Sequence, residues 1–593
     1  RLIIMTTPQK LIRNNKKYPN EIAISYLSHG QWNTMTWSEF YNYTLRIAKS
    51  LSSLGFKPND KISIYSYNRL EWYASYLAAQ LNRGVAVGVY HTSSPDEIDW
   101  IINNSDSKFV FIGHNPLDDN DVEKMPYYRF MKIVDKLNKV EKVVLMENIP
   151  KLDHVKISSW ENFLDYGLNV DENQIINNLN SSTLEETASI IYTSGTTGNP
   201  KGVELTHGNW SFEVESPDKA FLFQQGEKYI SWLPLAHSLG QFVDIHYWID
   251  KAMHLYIAES PLTLVDSAKE IQPHLFISVP RLYEKIYSNV KAQLDSKPIL
   301  KILLKIPIIS NLIQKKIKTA IGMSRCRYAL TGAAPINQEI LILFQSLNIP
   351  LFEGYGMTED SAGASINYFE KNKIGTVGPA LPGTEIKILS DGEIVIKGPH
   401  VMKGYYNNPE ATKEVLKDGW LHTGDVGKID EDGFLSIIGR KKEIYVTSGG
   451  KNIAPLNIEE SMKSIPLVSQ CFLVGDGRNF CSALFTLDPS VILRDKLNVS
   501  IDEIPKNPSQ QISKLKELGH SLEDYTESEE IKKEIQSQVD LINTTFSSPE
   551  QVKKFEILPR DFTVDEKELT PTLKLRRKKI LQNWNTIINK IYE

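Results

Sequence analysis

The chain has 593 residues, of which 41% are hydrophobic and 23% are charged, and its formal net charge is −5. This length exceeds what a single hydrophobic core supports, so we expect two or more domains. The composition is that of a globular protein, and the small excess of acidic residues argues against nucleic acid as a partner. The three cysteines are scattered without metal-site spacing, which argues against a disulfide framework and indicates a reducing compartment.

The sequence shows no targeting or membrane-spanning pattern. The opening stretch 1–4 is too short for the apolar core of a signal peptide. No uninterrupted apolar run reaches the ~20 residues that a membrane-spanning helix needs. We therefore expect a cytoplasmic protein, while its true first residue stays open because position 1 is not Met.

The first 150 residues alternate between helical and strand patterns. Thr36 can cap a helix whose apolar stripe continues to Leu54. A short strand (60–65), a second helix (71–81) and a second strand (85–89) follow. This β-α-β-α order predicts an α/β fold, in which a mostly parallel sheet carries helices on both faces.

A loop rich in glycine and hydroxyl groups separates two apolar strand patterns, 190–192 and 203–205. Its glycines allow the backbone to approach a ligand closely, its hydroxyls can surround phosphate oxygens, and Lys201 adds a positive charge. Because Lys201 is followed by Gly202 and a strand, the loop does not match that of P-loop kinases or GTPases. A surface turn is the alternative. The candidate phosphate-binding residues are Thr193, Ser194, Gly195, Thr196, Thr197 and Lys201.

Residues 231–237 predict a strand that ends at Pro234. This strand would place His237 at its C-terminal tip, where α/β sheets bind ligands. A lone histidine with a structural role is the alternative.

Segment 297–318 has an unusual pattern, in which Lys297, Lys301 and Lys305 share one stripe of an otherwise apolar helix. A basic amphipathic helix can lie on an anionic membrane surface, so this segment is a candidate for peripheral membrane contact. A core helix whose lysine amines reach solvent is the alternative that we favour.

Two neighbouring stretches suit a nucleotide. Small residues end the strand pattern 328–331 and let a flat ring or an acyl chain approach the backbone. Tyr355 lies between two glycines that expose its ring for stacking on a base. Thr358 can bind a phosphate oxygen, and Glu359 offers a hard oxygen ligand to Mg²⁺. The candidate residues are Gly332, Ala333, Tyr355, Gly356, Thr358 and Glu359.

The last third of the chain contains further candidates. Asp425 is expected in a tight turn after a strand, where its carboxylate can accept two hydrogen bonds from ribose hydroxyls. A second glycine-rich loop contains Gly449, Gly450 and Lys451. A helical insertion is expected at about 495–550, and its charged stretch from about 513 to 543 is expected to face solvent.

In this order, the motifs resemble those of the adenylate-forming superfamily, which includes acyl-CoA synthetases, luciferases and peptide-synthetase adenylation domains. The resemblance covers nearly the whole chain. The insertion and the closing motif 569–577 look most like long-chain acyl-CoA synthetases of the bubblegum type. The resemblance implies a large N-terminal domain, 1–441, of mostly parallel sheets flanked by helices, with a smaller β subdomain. It also implies a small mobile α+β domain, 442–593.

The resemblance also implies roles for single residues. Lys574 is the catalytic lysine, and Arg440 contacts ribose and phosphate. Lys442 is the hinge about which the small domain turns, and the loop 449–451 is presented to a thiol acceptor. His237 borders the carboxylate substrate. The position where some fatty-acyl members carry a gating tryptophan is Gln241 here, so no aromatic gate is predicted.

The implied reaction is the ATP-dependent activation of long-chain, and even very-long-chain, fatty acids to acyl-CoA. It passes through an acyl-adenylate, requires Mg²⁺, uses coenzyme A as a co-substrate and releases AMP and pyrophosphate. One alternative is a fatty acyl-AMP ligase that passes the acyl group to a carrier protein. Another is a non-catalytic lipid-binding or scaffold protein of the same fold. The sequence does not reveal the preferred chain length or the oligomeric state.

Overall fold

The computed structural model describes residues 5–28, 30–113, 125–147, 154–193, 199–260, 263–296, 299, 304, 306–332, 334–446, 452–505, 507–570 and 573–593. Within these residues, the strands form two eight-stranded sheets, a five-stranded sheet, a two-stranded hairpin and a three-stranded sheet. Helices pack against the large sheets. The predicted α/β class is confirmed.

The first eight-stranded sheet consists of parallel inner strands with an antiparallel strand at each edge. The C-terminal ends of the inner strands therefore meet at one side of the sheet, where ligands bind in folds of this class. In sheet order, the strands are Ser365–Ile366, Leu351–Tyr355, Tyr328–Thr331, Leu275–Ser278, Lys228–Ser231, His254–Ile257, Ile22–Ser28 and Gln31–Thr36.

The second eight-stranded sheet is parallel over most of its width and ends in an antiparallel edge. In sheet order, its strands are Gly404–Tyr405, Lys201–Thr206, Thr187–Thr193, Val85–Val89, Lys61–Tyr65, Ser107–Ile112, Lys142–Leu145 and Ile157–Ser159. The helices near these two sheets include Thr7–Lys17, Trp37–Ser53, Leu70–Leu81, Pro95–Asn104, Pro280–Ser296, Pro307–Ala320 and Gln338–Ser346.

The early elements follow the sequence prediction. The side chain of Thr36 accepts a hydrogen bond from the backbone N–H of Glu39, and Glu39 accepts one from the backbone of Thr36, so a capping box starts the helix. The predicted strands 60–65 and 85–89 are present and run parallel to each other. The strand expected to end at Pro234 ends earlier, at Ser231, because residues 232–236 leave the sheet as a loop.

The smaller β sheet is antiparallel and consists of Glu385–Ile388, Glu393–Lys397, Leu416–Lys417, Trp420–Ile429 and Leu435–Arg440. Asp425 was expected in a tight turn, and this expectation was wrong. It lies inside the strand Trp420–Ile429 and is paired in register with Arg440. Its own side chain is buried, because alternate residues of this strand face the interior.

Residues after 452 have their own apolar cores. The strands Val468–Val474, Cys481–Leu487 and Val552–Ile557 form the three-stranded sheet. The helices around it are Pro455–Met462, Pro508–Glu517, Glu529–Asn543, Arg577–Asn583 and Asn585–Tyr592. The division into domains at 441/442 stays a prediction.

The charged stretch of the insertion, from about 513 to 543, was expected to face solvent, and the structure corrects this. Ile531, Ile535 and Val539 are buried in the core that the three-stranded sheet provides. They are spaced four residues apart and form an apolar stripe on an otherwise mostly polar helix. The insertion is therefore part of the fold of this region.

Segment 297–318 is described in part, because Lys297, Lys301 and Lys305 lie outside the described residues. Helix Pro307–Ala320 packs Ile317 against the neighbouring core, while Leu312 is 65% exposed. Peripheral membrane contact stays a prediction. None of the helices in the described part of the chain is long and apolar enough to cross a bilayer.

Candidate active site

One cavity of about 1180 Å³ collects the described candidate residues. It lies at the C-terminal ends of the inner strands of the first sheet and extends to the smaller β sheet and the last residues of the chain. The candidates that line it are Thr193, Lys201, His237, Gly332, Tyr355, Gly356, Thr358, Glu359, Asp425, Arg440, Lys442 and Lys574. The candidates Ser194, Gly195, Thr196, Thr197, Ala333, Gly449, Gly450 and Lys451 lie outside the described residues.

The loop predicted to bind phosphate starts and ends on a β-hairpin. Strands Thr187–Thr193 and Lys201–Thr206 pair antiparallel, and Thr193 lies opposite Lys201 at the last rung. The hairpin thus brings both ends of the loop to the cavity.

Tyr405 connects the loop lysine to the carboxylate of Glu359. Its hydroxyl donates a hydrogen bond to Oε1 of Glu359 at 2.8 Å. The Lys201 amine lies 5.0 Å from the centre of the same ring, within the range of a cation–π contact. Tyr405 was not among the site residues that the sequence predicted.

Asp425 binds two neighbours that were predicted separately. Its Oδ2 accepts a hydrogen bond from the Tyr355 hydroxyl at 2.6 Å, and its Oδ1 forms an ion pair with Nε of Arg440 at 2.9 Å. Burial, and then the negative charge of Asp425, raises the pKa of Tyr355. Each carboxylate oxygen has a second lone pair, so the arrangement leaves acceptor capacity for hydroxyls of a ligand.

Lys574 reaches this cavity from the C-terminal part of the chain. The segment around it is tied together by two hydrogen bonds with Thr570, at 2.8 and 3.0 Å. Its side chain lines the cavity and is exposed to the solvent there. The protein around the cavity, and then the positive charge of Arg440, lower the pKa of Lys574, while Asp425 and Glu359 act in the opposite direction.

His237 begins the short helix Ser238–Gln241, and its Nδ1 accepts a hydrogen bond from the backbone N–H of Leu239 at 3.2 Å. Burial, and then the nearby charge of Lys574, lowers the pKa of His237 to about 4. The imidazole is therefore neutral at pH 7 and can border a bound group without adding charge. The predicted place of His237 beside the substrate stays a prediction.

A buried polar network supports the loop that leads to His237. Asn68 donates to the carbonyl of Leu233 at 2.7 Å and accepts from the N–H of Leu235 at 3.2 Å. Gln241 is fully buried and donates to the carbonyl of Leu235 at 2.9 Å. Gln241 thus helps to hold this loop in place.

Glu353 is a second residue that sequence analysis missed. It lines the cavity two residues before Tyr355, and burial raises its pKa to about 8. Its carboxyl group is protonated at neutral pH and can donate a hydrogen bond. A carboxyl group inside an otherwise apolar strand pattern was the signal that could have identified it.

The inner part of the cavity is apolar and suits a hydrocarbon chain. The residues of this part, which we call the apolar chamber, are Phe221, Phe223, Leu239, Phe242, Val243, Tyr247, Leu275, Ile277 and Leu330. The charged candidates line the other part, beside the C-terminal ends of the strands, and we call it the outer part. The cavity therefore combines an anion-binding end with a hydrocarbon-binding end.

The donor set fits Mg²⁺ that is shared with a phosphate-bearing ligand. Mg²⁺ in such sites keeps several waters and takes one or two carboxylates together with phosphate oxygens. Glu359 supplies the carboxylate, and the hydroxyl of Thr358 precedes it on the same turn. Among the described residues, no group of three or more His, Cys, Asp or Glu side chains could hold a metal ion by itself.

Comparison with protein families gives a match to the AMP-binding enzyme family over residues 11–406. Full-length relatives are also found. Long-chain-fatty-acid–CoA ligase FadD15 of Mycobacterium tuberculosis is 32% identical, and the alignment covers 97% of this chain and 95% of that protein. Long-chain-fatty-acid–CoA ligase ACSBG2 of Gallus gallus is 30% identical, with 97% and 80% coverage.

Solved structures share the fold. Anthranilate CoA ligase AuaEII in complex with anthranoyl-AMP has a TM-score of 0.74 at 16% identity, covering 99% of this chain and 98% of that chain. The o-succinylbenzoate CoA synthetase of Bacillus subtilis, solved with ATP and a magnesium ion, has a TM-score of 0.66 at 21% identity, with 96% and 98% coverage.

Proposed function

Because this chain belongs to the AMP-binding enzyme family, we propose that it activates long-chain fatty acids to acyl-CoA at the expense of ATP. The reaction passes through an acyl-adenylate and releases pyrophosphate and AMP. The observation that carries this proposal is one cavity with two unlike ends. Its outer end presents Lys201, Glu359 and Lys574, and its inner end is the apolar chamber.

In the first half-reaction, the fatty carboxylate attacks the α-phosphorus of ATP and pyrophosphate leaves. Both reactants are anions, so the residues must offset repulsion and hold the attacking oxygen in line. Lys201 and Lys574 supply positive charge at the outer end, and Tyr355 offers a face for the adenine ring. Glu359 and Thr358 would hold Mg²⁺, which neutralises phosphate charge when it is bound.

In the second half-reaction, the thiol of coenzyme A attacks the acyl carbon, and AMP leaves. We propose that the part of the chain after Lys442 turns about that residue between the two steps. This motion would withdraw Lys574 and bring the loop 449–451 to the acyl-adenylate. The apolar chamber holds the acyl chain in place during both steps and keeps water from the reactive anhydride.

The test of the function is release of AMP and pyrophosphate by the purified protein, with acids from acetate to tetracosanoate, in the presence and absence of coenzyme A. We expect coenzyme A-dependent release of AMP with long-chain acids, and little with acetate. Pyrophosphate release without consumption of coenzyme A would indicate a fatty acyl-AMP ligase. Failure to release pyrophosphate with any acid would contradict the proposal and favour a non-catalytic protein.

We also propose that segment 297–318 contacts a membrane surface, from which the fatty acid is taken. Ile299 and Leu312 are 70% and 65% exposed, which suits insertion between lipid headgroups. Leu312→Glu is expected to reduce cosedimentation with anionic liposomes while the activity toward dissolved substrate is retained. Unchanged cosedimentation of this variant would contradict the membrane contact.

A further inference from the structure

The apolar chamber is closed at its inner end by aromatic rings that contact one another. We call this set the aromatic wall, and it consists of Phe221, Phe223, Tyr328, Phe352 and Phe369. Phe221 and Phe223 both lie edge-on to Tyr328, with ring centres at 4.8 and 5.0 Å. Phe369 contacts Tyr328 at 5.6 Å and Phe352 at 5.1 Å from the other side.

The sheet register explains why the wall lies where it does. Leu275 pairs with Tyr328, and Leu330 pairs with Phe352, so all four side chains emerge on the same face of the first sheet. Leu275 and Leu330 line the chamber. Tyr328 begins its strand, at the end opposite to the charged outer part of the cavity. An acyl chain that extends along this face from the outer part of the cavity therefore ends against the aromatic wall.

A second cavity lies behind the aromatic wall. It has a volume of about 750 Å³ and is lined by Tyr328, Phe352 and Phe369 together with polar side chains, which include Arg327, Asn367 and Glu370. Phe221 and Phe223 line the first cavity and Tyr328 and Phe352 line the second. The wall is thus two rings thick, and Phe369, 58% exposed, forms its outer surface.

Arg327 holds the wall in place from its rim. Its guanidinium lies 5.6 Å from the ring centre of Tyr328 and 5.9 Å from that of Phe223. It donates to the carbonyl of Leu222 at 2.6 Å and forms an ion pair with Glu227. These contacts fix the segment that carries Phe221 and Phe223, so the wall has a defined position.

We propose that the aromatic wall sets the longest acyl chain that the protein accepts, and that the second cavity is the space an overlong chain enters when the wall is opened. This inference rests on the proposed function. An acyl chain longer than the chamber must displace packed rings, whereas a shorter acyl chain leaves apolar surface uncovered. Both effects weaken binding of the acid.

Variants that lengthen and variants that shorten the chamber test the proposal. Phe223→Ala deepens the chamber, and the double variant Phe223→Ala/Tyr328→Ala joins the two cavities. Leu275→Phe places a larger side chain in front of the wall. Tyr166→Ala, which removes an aromatic ring that is 43% exposed and lines neither cavity, is the control. The quantity measured is the ratio of kcat/KM for tetracosanoate to that for hexadecanoate.

We expect the double variant to raise this ratio about tenfold, which corresponds to ~1.4 kcal/mol. Leu275→Phe should shift the profile toward shorter acids, and Tyr166→Ala should leave it unchanged. Leu275→Phe also serves as the test if loss of two rings prevents folding. If the variants still convert hexadecanoate and their kcat/KM depends on acyl chain length as in the unsubstituted protein, the role of the wall is contradicted. If the unsubstituted protein activates no acid, the proposed function is contradicted instead.

Discussion

Arg576 and Glu97, which are 479 residues apart in the sequence, are joined by a hydrogen-bonded ion pair with a distance of 3.1 Å. Glu97 lies in the first turn of helix Pro95–Asn104, and Arg576 follows Lys574 by two residues. Both side chains line the large cavity. The pair therefore fastens the segment that carries Lys574 to a helix beside the second sheet.

If this ion pair positions Lys574, then charge reversal at one partner should impair acyl-adenylate formation. We expect Glu97→Lys to lower the rate of this half-reaction about tenfold, since both groups are only partly exposed. The double variant Glu97→Lys/Arg576→Glu should recover much of the loss. The measurement is ATP–pyrophosphate exchange, together with thioester formation from supplied acyl-adenylate. Equal losses in the two half-reactions would contradict a positioning role.

A second prediction concerns the charge of Lys574. In the proposed mechanism, the protonated amine would stabilise the α-phosphate during adenylyl transfer, and the surrounding protein lowers the pKa of this amine below the ordinary 10.5. Acyl-adenylate formation should therefore decline as the pH rises through that lowered pKa. Lys574→Arg should remove this alkaline decline, because a guanidinium stays charged. ATP–pyrophosphate exchange between pH 7 and 10 measures both profiles.

The same prediction about the charge of Lys574 extends to its removal. Lys574→Ala should lower acyl-adenylate formation by about a hundredfold or more, the typical effect of removing one electrostatic stabiliser. It should still convert supplied acyl-adenylate to acyl-CoA. Lys579→Ala removes a neighbouring amine that does not line the cavity and serves as the control. A parallel decline of both half-reactions in Lys574→Ala would argue against this division of roles.

A third prediction tests Tyr405 as the link between Lys201 and Glu359. Tyr405→Phe keeps the ring but removes the hydrogen bond to Glu359, which stabilises by about 1 kcal/mol. We expect the KM for magnesium-bound ATP to rise about fivefold. Tyr405→Leu should have a larger effect, since the contact with the Lys201 amine is lost too.

Tyr406→Phe is the matched control for this experiment. The hydroxyl of Tyr406 donates to Asp106, and Tyr406 does not line the cavity. Its KM for nucleotide should stay unchanged. The link would be refuted by variants at 405 and 406 that change the KM to the same extent.

A fourth prediction concerns the helix Glu529–Asn543. Ile535 is fully buried in it, whereas Leu541 of the same helix is 65% exposed. Ile535→Ala should destabilise the surrounding core by about 2–4 kcal/mol, and Leu541→Ala should have little effect. Hydrogen exchange of strand Cys481–Leu487, which shares this core, reports the difference. A solvent-facing insertion would instead give equal exchange in both variants.

Short motifs with strong local chemistry were predictable from the sequence. The capped helix at Thr36, the strand Val85–Val89 and the two strands that flank the loop before Lys201 all follow from patterns within a few residues. Tyr405 and Glu97 were not predictable in this way, because their partners are brought to them by tertiary packing. Asp425 was placed in a turn because some buried positions of its strand are polar, so the sequence lacks the alternation of apolar and polar residues that predicts a strand.

The insertion shows a different kind of error. Its overall polarity was given more weight than its periodicity, although Ile531, Ile535 and Val539 recur every four residues. A stripe of three apolar residues is enough to attach a helix whose other faces are mostly polar. Counting apolar residues by position would have predicted its packing.

The antiparallel pairing of Thr193 with Lys201 has a consequence for the energetics of nucleotide capture. Joining the ends of a loop lowers chain entropy, and here the last rung of the hairpin joins them when the protein folds. That entropy is already lost before ATP arrives, so it does not reduce the affinity. Substitutions in the loop between Thr193 and Lys201 should therefore change its contacts with the nucleotide, but not the distance between the two ends of the loop.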